Sequence, residues 1–507
     1  MKRLRIPVGI AMRKACGSAV RRTWNLLSRR VARGREGSLR VVAHWRRLEL
    51  DECVREYESC FVGACQIRRR QPTLGATRAW VDAMLRLGRG VEAVQQLEQY
   101  VAREPSQAVY WELLGFAALN RDPERAAAAL MEAWRRGRTA RCVLWWWVDA
   151  RERMSGTAWL MEFEGVAKVL ARGGDPDRQL LRAFMSDPDR ERAMIAGWNE
   201  HLHSIGAREV EIKVTGNGWM FDGVRVRDEG GGGREWGEPL VSLIVTARNE
   251  QTGLTAAAGS LLEQTYGNFE LLLVDDGSSD GTAQVMREVA ASDDRVRFLR
   301  LERNAGIFAA KNIALGYARG GVIGFFDADD WAHPELLERK LRALENNPQA
   351  MAVISSRIRV TPDWRFDIRR PGRVVHADPA SLLCRREVFA QLGHYDWVRT
   401  SADSELLGRI RRAYGEAGLL HLDECLALAS WDPGSLSGPK GLGFDGDGGS
   451  PFLLEYHRRS IAWHQSSVPG DPSALYIGAY HEPRPFEVPE EMQLKVGREL
   501  PGLAPSA

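Results

Sequence analysis

Between residues 241 and 326 the chain alternates short apolar runs with helical segments, and nothing else in the sequence narrows the fold so sharply. The runs 241–247, 269–274, 296–301 and 322–326 are nearly continuous in apolar character, and the segments near 254–264, 281–291 and 307–318 carry helical spacing. Strands that are apolar on both faces must be covered on both faces. The pattern therefore predicts an α/β domain with a mostly parallel sheet, crossover helices on each side and ligands at the carboxyl ends of the strands. The last run ends in Asp327-Ala328-Asp329-Asp330-Trp331, which places three carboxylates in four residues directly after a buried strand. Carboxylates this close resist joint ionisation unless a cation neutralises them, and oxygens at Asp-x-Asp spacing suit Mg²⁺ or Mn²⁺ together with a diphosphate. The same residues also read as a helix N-cap.

At 507 residues, with 44% hydrophobic and 27% charged residues, the chain is globular in composition and too long for one average domain. The formal charge of +3 is small, and Lys and Arg concentrate near the amino terminus, so no nucleic-acid partner is implied. Seven cysteines without a Cys-x-x-Cys pair fit a reducing compartment, and Cys53, Cys60 and Cys65 read as small packed residues. No apolar run approaches the ~18–20 residues that span a bilayer, and 6–12 is too short for a signal-peptide core. The expected location is cytoplasmic, either free or peripheral on the inner membrane face. Residues 2–34 alternate Lys and Arg with apolar residues, which describes either an interfacial amphipathic helix drawn to anionic lipid or an unstructured basic tail.

Five regions follow. Residues 1–50 form the basic arm, and residues 51–205 an all-α domain. Within it Ala93, Leu97 and Val101 recur 33 residues later as Ala126, Leu130 and Trp134, and Trp80 has a near counterpart in Trp111. This spacing resembles tetratricopeptide-type helical hairpins, with an ordinary helical bundle as the alternative. Leu144-Trp145-Trp146-Trp147-Val148 reads as indoles packed between helices. Residues 206–238 hold short strands and the Gly-rich stretch Asp228-Glu229-Gly230-Gly231-Gly232-Gly233, a linker across which few contacts are expected. Residues 239–435 are the α/β domain. Residues 436–507 read as a Gly-rich loop, a helix and a Pro-containing tail with little structure of its own.

Two further acidic groups fall at the edge where the strands end. Asp275-Asp276 follows Leu271-Leu272-Leu273-Val274 and precedes Gly277-Ser278-Ser279-Asp280-Gly281. A carboxylate there can accept from a base N–H or a ribose hydroxyl, and the same residues also make a capping turn. Asp403 and Glu405 precede an apolar helical stretch, where acids favour a helix amino terminus.

In order, Val241-Ser242-Leu243-Ile244-Val245-Thr246-Ala247-Arg248-Asn249-Glu250, Val274-Asp275-Asp276-Gly277-Ser278, Arg303-Asn304-Ala305-Gly306, Ala310-Lys311-Asn312, Asp327-Ala328-Asp329-Asp330 and Ala402-Asp403 resemble family 2 glycosyltransferases with a GT-A fold. The resemblance implies that Thr246, Arg248 and Glu250 lie beside the nucleotide and that Asp275 and Asp276 are the base- and ribose-binding acids. It puts Lys311 near base or diphosphate, with Asp327 on the ribose or a metal-bound water. Asp329, with Asp327, would hold Mn²⁺ or Mg²⁺, and Asp403 would be the general base. It further implies an inverting transfer from a nucleotide-sugar, with UDP-sugars the first choice, to a hydroxyl of a glycan, lipid-linked or protein acceptor. The Gln-x-x-Arg-Trp motif and membrane helices of processive relatives do not occur, so single additions are expected.

Two alternatives differ in class. A nucleotidyltransferase would carry a Gly-rich phosphate loop after its first strand, where this chain reads Ala247-Arg248-Asn249-Glu250-Gln251. A scaffold would bind a protein partner through the helical half and keep a non-catalytic, nucleotide-sugar-binding domain, yet every matched carboxylate is present.

Overall fold

The computed structural model describes residues 81, 84–85, 89–138, 176–187, 189–212, 219–226, 238–367, 374–431, 444–445, 448–449, 451–480, 482–494 and 499–503. Three helices come first: α1 (Gly90–Arg103), α2 (Ala108–Ala118) and α3 (Pro123–Arg135). Asp122 caps α3 by accepting from the Arg125 amide at 2.9 Å, and Pro123 in the first turn has no amide to leave unpaired. Ala93 and Leu97 on α1 and Ala126 and Leu130 on α3 are fully buried, with Trp134 half-buried. Three packed helices are common to bundles and repeats, so they add no support to the tetratricopeptide-like reading. Trp80, 145–147 and the basic arm lie outside the described residues.

Two more helices, α4 (Pro176–Ser186) and α5 (Arg190–Ser204), lead to strands β1 (Val210–Ile212) and β2 (Val224–Val226), which form a two-stranded antiparallel sheet. The α/β sheet follows. Its first strands are β3 (Val241–Ala247), β4 (Phe269–Asp275), β5 (Val296–Arg300) and β6 (Val322–Asp327), joined by helices α6 (Leu254–Leu262), α7 (Thr282–Ser292) and α8 (Ile307–Leu315). These four strands are parallel, as the continuous apolar runs predict, and β3 and β4 are buried along their whole length. The chain continues through β7 (Trp331–Ala332), α9 (Leu336–Asn346), β8 (Ala352–Val360), β9 (Val375–Ala377), β10 (Leu383–Arg385), α10 (Glu387–Leu392), α11 (Ala402–Tyr414) and β11 (Leu419–Ser430). The sheet has nine strands in the order β5-β4-β3-β6-β10-β8-β11-β7, with β9 beside β8. Short β10, β7 and β9 pair antiparallel, and β11 runs parallel to β8.

The expectation of few contacts across the linker does not hold. Trp198 on α5 is fully buried, meets Trp331 edge-on at 5.8 Å and donates its indole N–H to the Cys425 carbonyl at 2.8 Å. The Cys425 amide donates to His201 Nε2 at 3.0 Å, so α5 holds both backbone groups of one β11 residue. That residue sits where the β11–β8 register shifts, and irregular strand backbone is where outside partners are required. Asp177 on α4 accepts from the Val374 and Val375 amides at 2.7 and 3.2 Å. A Gly-rich linker reports local chain freedom, not what its flanking segments bury.

The carboxyl-terminal tail joins the core. After α12 (Pro451–Ser466) it makes little regular structure, yet Leu475, Ile477, Val488 and Met492 are buried in the same core as Ile323, Phe325 and Leu406. Among the described residues no helix is long and apolar enough to cross a membrane.

Because α5 completes the β11 backbone, Trp198→Phe should lower stability by about 1–3 kcal/mol through the orphaned Cys425 carbonyl. Trp198→Ala should cost about 3–5 kcal/mol by adding a cavity. Urea unfolding of the full chain measures both, and parental stability of Trp198→Ala would show that α5 is not part of this folded unit.

Candidate active site

The parallel register brings the predicted acids to one edge. In the parallel register Thr246 lies opposite Asp327 and Val274, and Ala247 lies opposite Asp275. Asp275 is fully buried, accepts from the Ser278 amide at 2.9 Å and pairs with Arg300 at 3.1 Å. Asp276 accepts the Ala305 and Gly306 amides at 2.6 and 2.9 Å, one on each oxygen, and so fixes the loop that enters α8. Burial pushes its carboxyl up to about 6, against the downward pull of those amides and of Arg248. Gly277 has φ +65, and a Cβ there would lie 2.7 Å from the Arg303 and Asn304 backbone, so this close approach needs glycine.

The loop after β3 is tied to the loop after β4. The Asn249 amide donates to Ser278 Oγ at 2.9 Å, and the Ser279 amide donates to Asn249 Oδ1 at 2.9 Å. Arg248 is exposed and Thr246 is buried, its hydroxyl without a hydrogen-bond partner. Glu250 is half-buried, and burial first, then Asp329, pushes its carboxyl up to about 7.

The acids after β6 separate by environment. Burial alone would raise Asp327, yet Lys311 at 3.6 Å and Arg357 at 3.8 Å, with Arg359, hold it below the usual carboxylate range. Lys311 is itself buried on α8 between the Phe308 and Phe325 rings. Asp329 accepts from the Ser430 hydroxyl, and burial and then Asp327 raise its pKa. Asp330 is buried, accepts from the Ser430 amide at 3.0 Å and from Arg357 at 3.2 Å, and is driven well up by burial and then by Asp329.

Asp403 enters from α11. It is half-buried, accepts from the Ser404 amide at 2.7 Å and has its pKa raised by burial and by Asp327, while the Ser404 amide, Lys311 and Arg357 oppose the rise. Two residues on, Glu405 takes a different part: its oxygens are held by Arg409 at 2.9 Å and by His464 of α12 at 2.8 Å, in a buried cluster that fixes the helix. Asp403 thus shares the charge cluster of the sheet edge, and Glu405 does not.

Sequence reasoning missed Arg357, Arg359, Asp378 and Ser430. Arg357 contacts Asp378 at 3.1 Å in addition to the β6 acids, and all nine residues of β8 are buried. The available signal was Arg357-Ile358-Arg359, two cations on one face of a strand that begins Ala352-Val353-Ile354.

Among the described residues no group of three or more His, Cys, Asp or Glu could hold a metal ion by itself. The donors do fit a cation shared with phosphate, since Mg²⁺-type sites take one or two carboxylates and complete their shell with phosphate and water. Asp329 makes Glu250 harder to ionise, a repulsion that a bound cation would reverse.

Glu250 has a folded pKa above its unfolded value, so the folded state binds more protons between about pH 4.5 and 7 and this group loses stability as pH rises through that window. Glu250→Gln removes the effect. Its stability advantage over the parent should grow by on the order of 1–2 kcal/mol from pH 4.5 to 7 and then level, and a flat difference in urea midpoints would refute the assignment.

The family described as "Glycosyl transferase family 2" matches residues 242–406. TuaG of Bacillus subtilis (strain 168), named for a glycosyltransferase of teichuronic acid biosynthesis, is 35% identical over 202 residues, covering 38% of this chain and 78% of TuaG. WfgD of Escherichia coli, named UDP-Glc:alpha-D-GlcNAc-diphosphoundecaprenol beta-1,3-glucosyltransferase, is 41% identical over 109 residues, 21% of this chain and 42% of that protein. Other curated relatives, EpsH of Bacillus subtilis (strain 168) among them, are spanned over 30% to 45% of their length. Among solved structures, S. aureus TarS 1-349 in complex with UDP-GlcNAc is 19% identical with a TM-score of 0.33, covering 38% of this chain and 59% of that one. With 35% identity across 78% of TuaG, and a family match that takes in Asp275, Asp327, Asp329 and Asp403, the chain belongs to glycosyltransferase family 2.

Proposed function

We propose that this chain moves a single sugar from a nucleotide-sugar, in first instance a UDP-sugar, to a hydroxyl of a glycan, lipid-linked or protein acceptor in polysaccharide synthesis, with inversion at the anomeric carbon. One observation carries the reading. Asp403, from an element unrelated to the parallel strands, lies within the electrostatic reach of Asp327, Lys311 and Arg357 at the strand ends, which supports this reading. An in-line displacement needs an acid–base group on the acceptor side of a charged leaving-group site. The name of WfgD, with its UDP-Glc donor, supports the choice of nucleotide, and that of TuaG supports a polysaccharide setting.

In this reading Thr246, Arg248 and Glu250 border the nucleotide, Asp275 and Asp276 shape the base and ribose pocket, and Lys311 keeps Asp327 ionised. Asp329, with Asp327, would hold Mn²⁺ or Mg²⁺, which when bound neutralises the departing diphosphate. Asp403 accepts the proton of the acceptor hydroxyl as it attacks, a contribution worth ~10²–10⁴ in rate, and its raised pKa makes it the stronger base. Residues 239–435 carry the chemistry. The helical residues 51–205 recruit acceptor or a protein partner from the cytoplasmic side, with the basic arm 1–50 touching the membrane surface.

Asp329→Ala should abolish most transfer together with the Mn²⁺-dependent part of donor binding; turnover of the parent in excess chelator would remove the metal from the scheme. Asp403→Asn should leave donor affinity and melting temperature near the parent while lowering kcat by ~10² or more. Glu405→Gln should do the reverse and lose about 3–5 kcal/mol of stability, because it breaks a buried pair with Arg409. If Glu405→Gln is the kinetically damaging change and Asp403→Asn is mild, the base is misassigned. Partner binding without any turnover of labelled UDP-sugars would favour the scaffold.

A further inference from the structure

The family match ends at residue 406, and none of the roles above uses the chain beyond α12. That segment lies against the loop leading into the helix of Asp403. Ile477 bridges to Gly393, whose φ is 73°, and its carbonyl accepts the His394 amide at 2.9 Å. Further along, Arg484 reaches the loop with both ends of its guanidinium: one nitrogen donates to Asp396 Oδ1 at 2.8 Å and another to the Trp397 carbonyl. The second Asp396 oxygen accepts from Tyr456 of α12 at 2.9 Å. Asp396 is 2% exposed, and a buried carboxylate requires such partners. Both come from the carboxyl-terminal part of the chain. Finally, the Arg399 amide donates to the Met492 carbonyl at 2.9 Å.

Only Thr400, Ser401 and Ala402 separate Arg399 from Asp403. Ser401 has φ 66°, a conformation that costs a non-glycine residue energy and persists only where its surroundings enforce it, and Ala402 is fully buried. A shift of 396–399 has no slack in which to dissipate before it reaches Asp403. The rest of α11 is held upstream of Asp396 by Arg409, which donates to the Leu392 and His394 carbonyls and to Glu405, itself paired with His464 of α12. Loosening the loop therefore moves the first turn of the helix and leaves the helix folded. The same tail continues to the other side of the edge, where the Gly502 carbonyl accepts the Glu302 amide at 3.1 Å, just before the loop that Asp276 fixes.

We infer that residues 477–480, 482–494 and 499–503 act as a strap that completes the catalytic machinery, with Arg484 as a positioning residue that sets the carboxylate of Asp403 by holding Asp396 and Trp397. The inference rests on the reading of Asp403 as the base. It assigns the carboxyl-terminal extension a function in the reaction, not merely in the core.

The test is a double-mutant cycle in the full chain, with Mn²⁺ and a UDP-sugar the parent turns over. Arg484→Ala should lower kcat about 10-fold or more while donor KM stays within about 2-fold, since the donor loops keep their own ties. Arg484→Lys should recover part of kcat, because an ammonium can neutralise Asp396 but cannot span to the Trp397 carbonyl as well. In the Asp403→Asn background Arg484→Ala should cause little further loss, because the group it positions no longer accepts a proton. An equal loss in both backgrounds, or parallel changes in donor KM and kcat, would make the strap a structural brace and overturn the inference. An unimpaired Asp403→Asn overturns the base assignment itself, and the positioning claim with it, whereas a damaging Asp403→Asn with additive Arg484→Ala overturns the strap alone. Should Arg484→Ala fail to fold, the same cycle run with Arg484→Lys decides.

Discussion

The acidic edge depends on one buried guanidinium. Arg357, midway along β8, lies within 3.8 Å of Asp327, 3.2 Å of Asp330 and 3.1 Å of Asp378, and its field extends to Asp403. Parallel strands in register deliver carboxylates to the same edge whatever their charge, and burial without a cation favours their protonated forms. Arg357 and Lys311 hold Asp327 ionised, while burial and mutual repulsion push Asp329, Asp330 and Asp403 the other way. Neighbouring acids with divergent proton affinities can take different parts in one reaction, an ionised ligand beside a stronger base.

β11 connects this edge to the rest of the molecule. It pairs with β8, which carries Arg357; its residue Cys425 is held by Trp198 and His201 of α5; and its last residue, Ser430, donates to Asp329 and Asp330. Helix, strand and acid turn are consecutive links in one chain of hydrogen bonds. The linker in the sequence therefore interrupts composition without dividing the packed unit.

What the sequence disclosed and what it withheld follow the range of the interactions concerned. The parallel strands and the acids at their ends are local: an apolar run and the residue after it suffice, and the parallel register sets the edge. The expectation of Asp403 over Glu405 came from the family pattern, and the pairing of Glu405 with Arg409 and with His464, 59 residues on, is not announced by any local pattern. Arg357 was passed over because Ser355-Ser356-Arg357-Ile358-Arg359 does not look like a buried strand until β10 and β11 flank it. Trp198 meets a partner 227 residues away, and no local pattern encodes that. The prolines of the tail point to little structure of its own, but composition is silent on whether Val488 and Met492 find a core.

The irregularity in β11 has a consequence for Ser430. Between Cys425 and Ala427 this strand advances two residues while β8 advances one, from Ser356 to Arg357. Side chains alternate across a sheet with period two, so one extra residue resets the phase of everything after it. The hydroxyl that meets Asp329 points toward the acid turn because the count is odd at that step. Loss of a single residue there would leave the strand's composition and hydrophobicity almost unchanged, yet it would turn Ser430 to the opposite face. The chemistry of the edge is thus written partly in the parity of a strand.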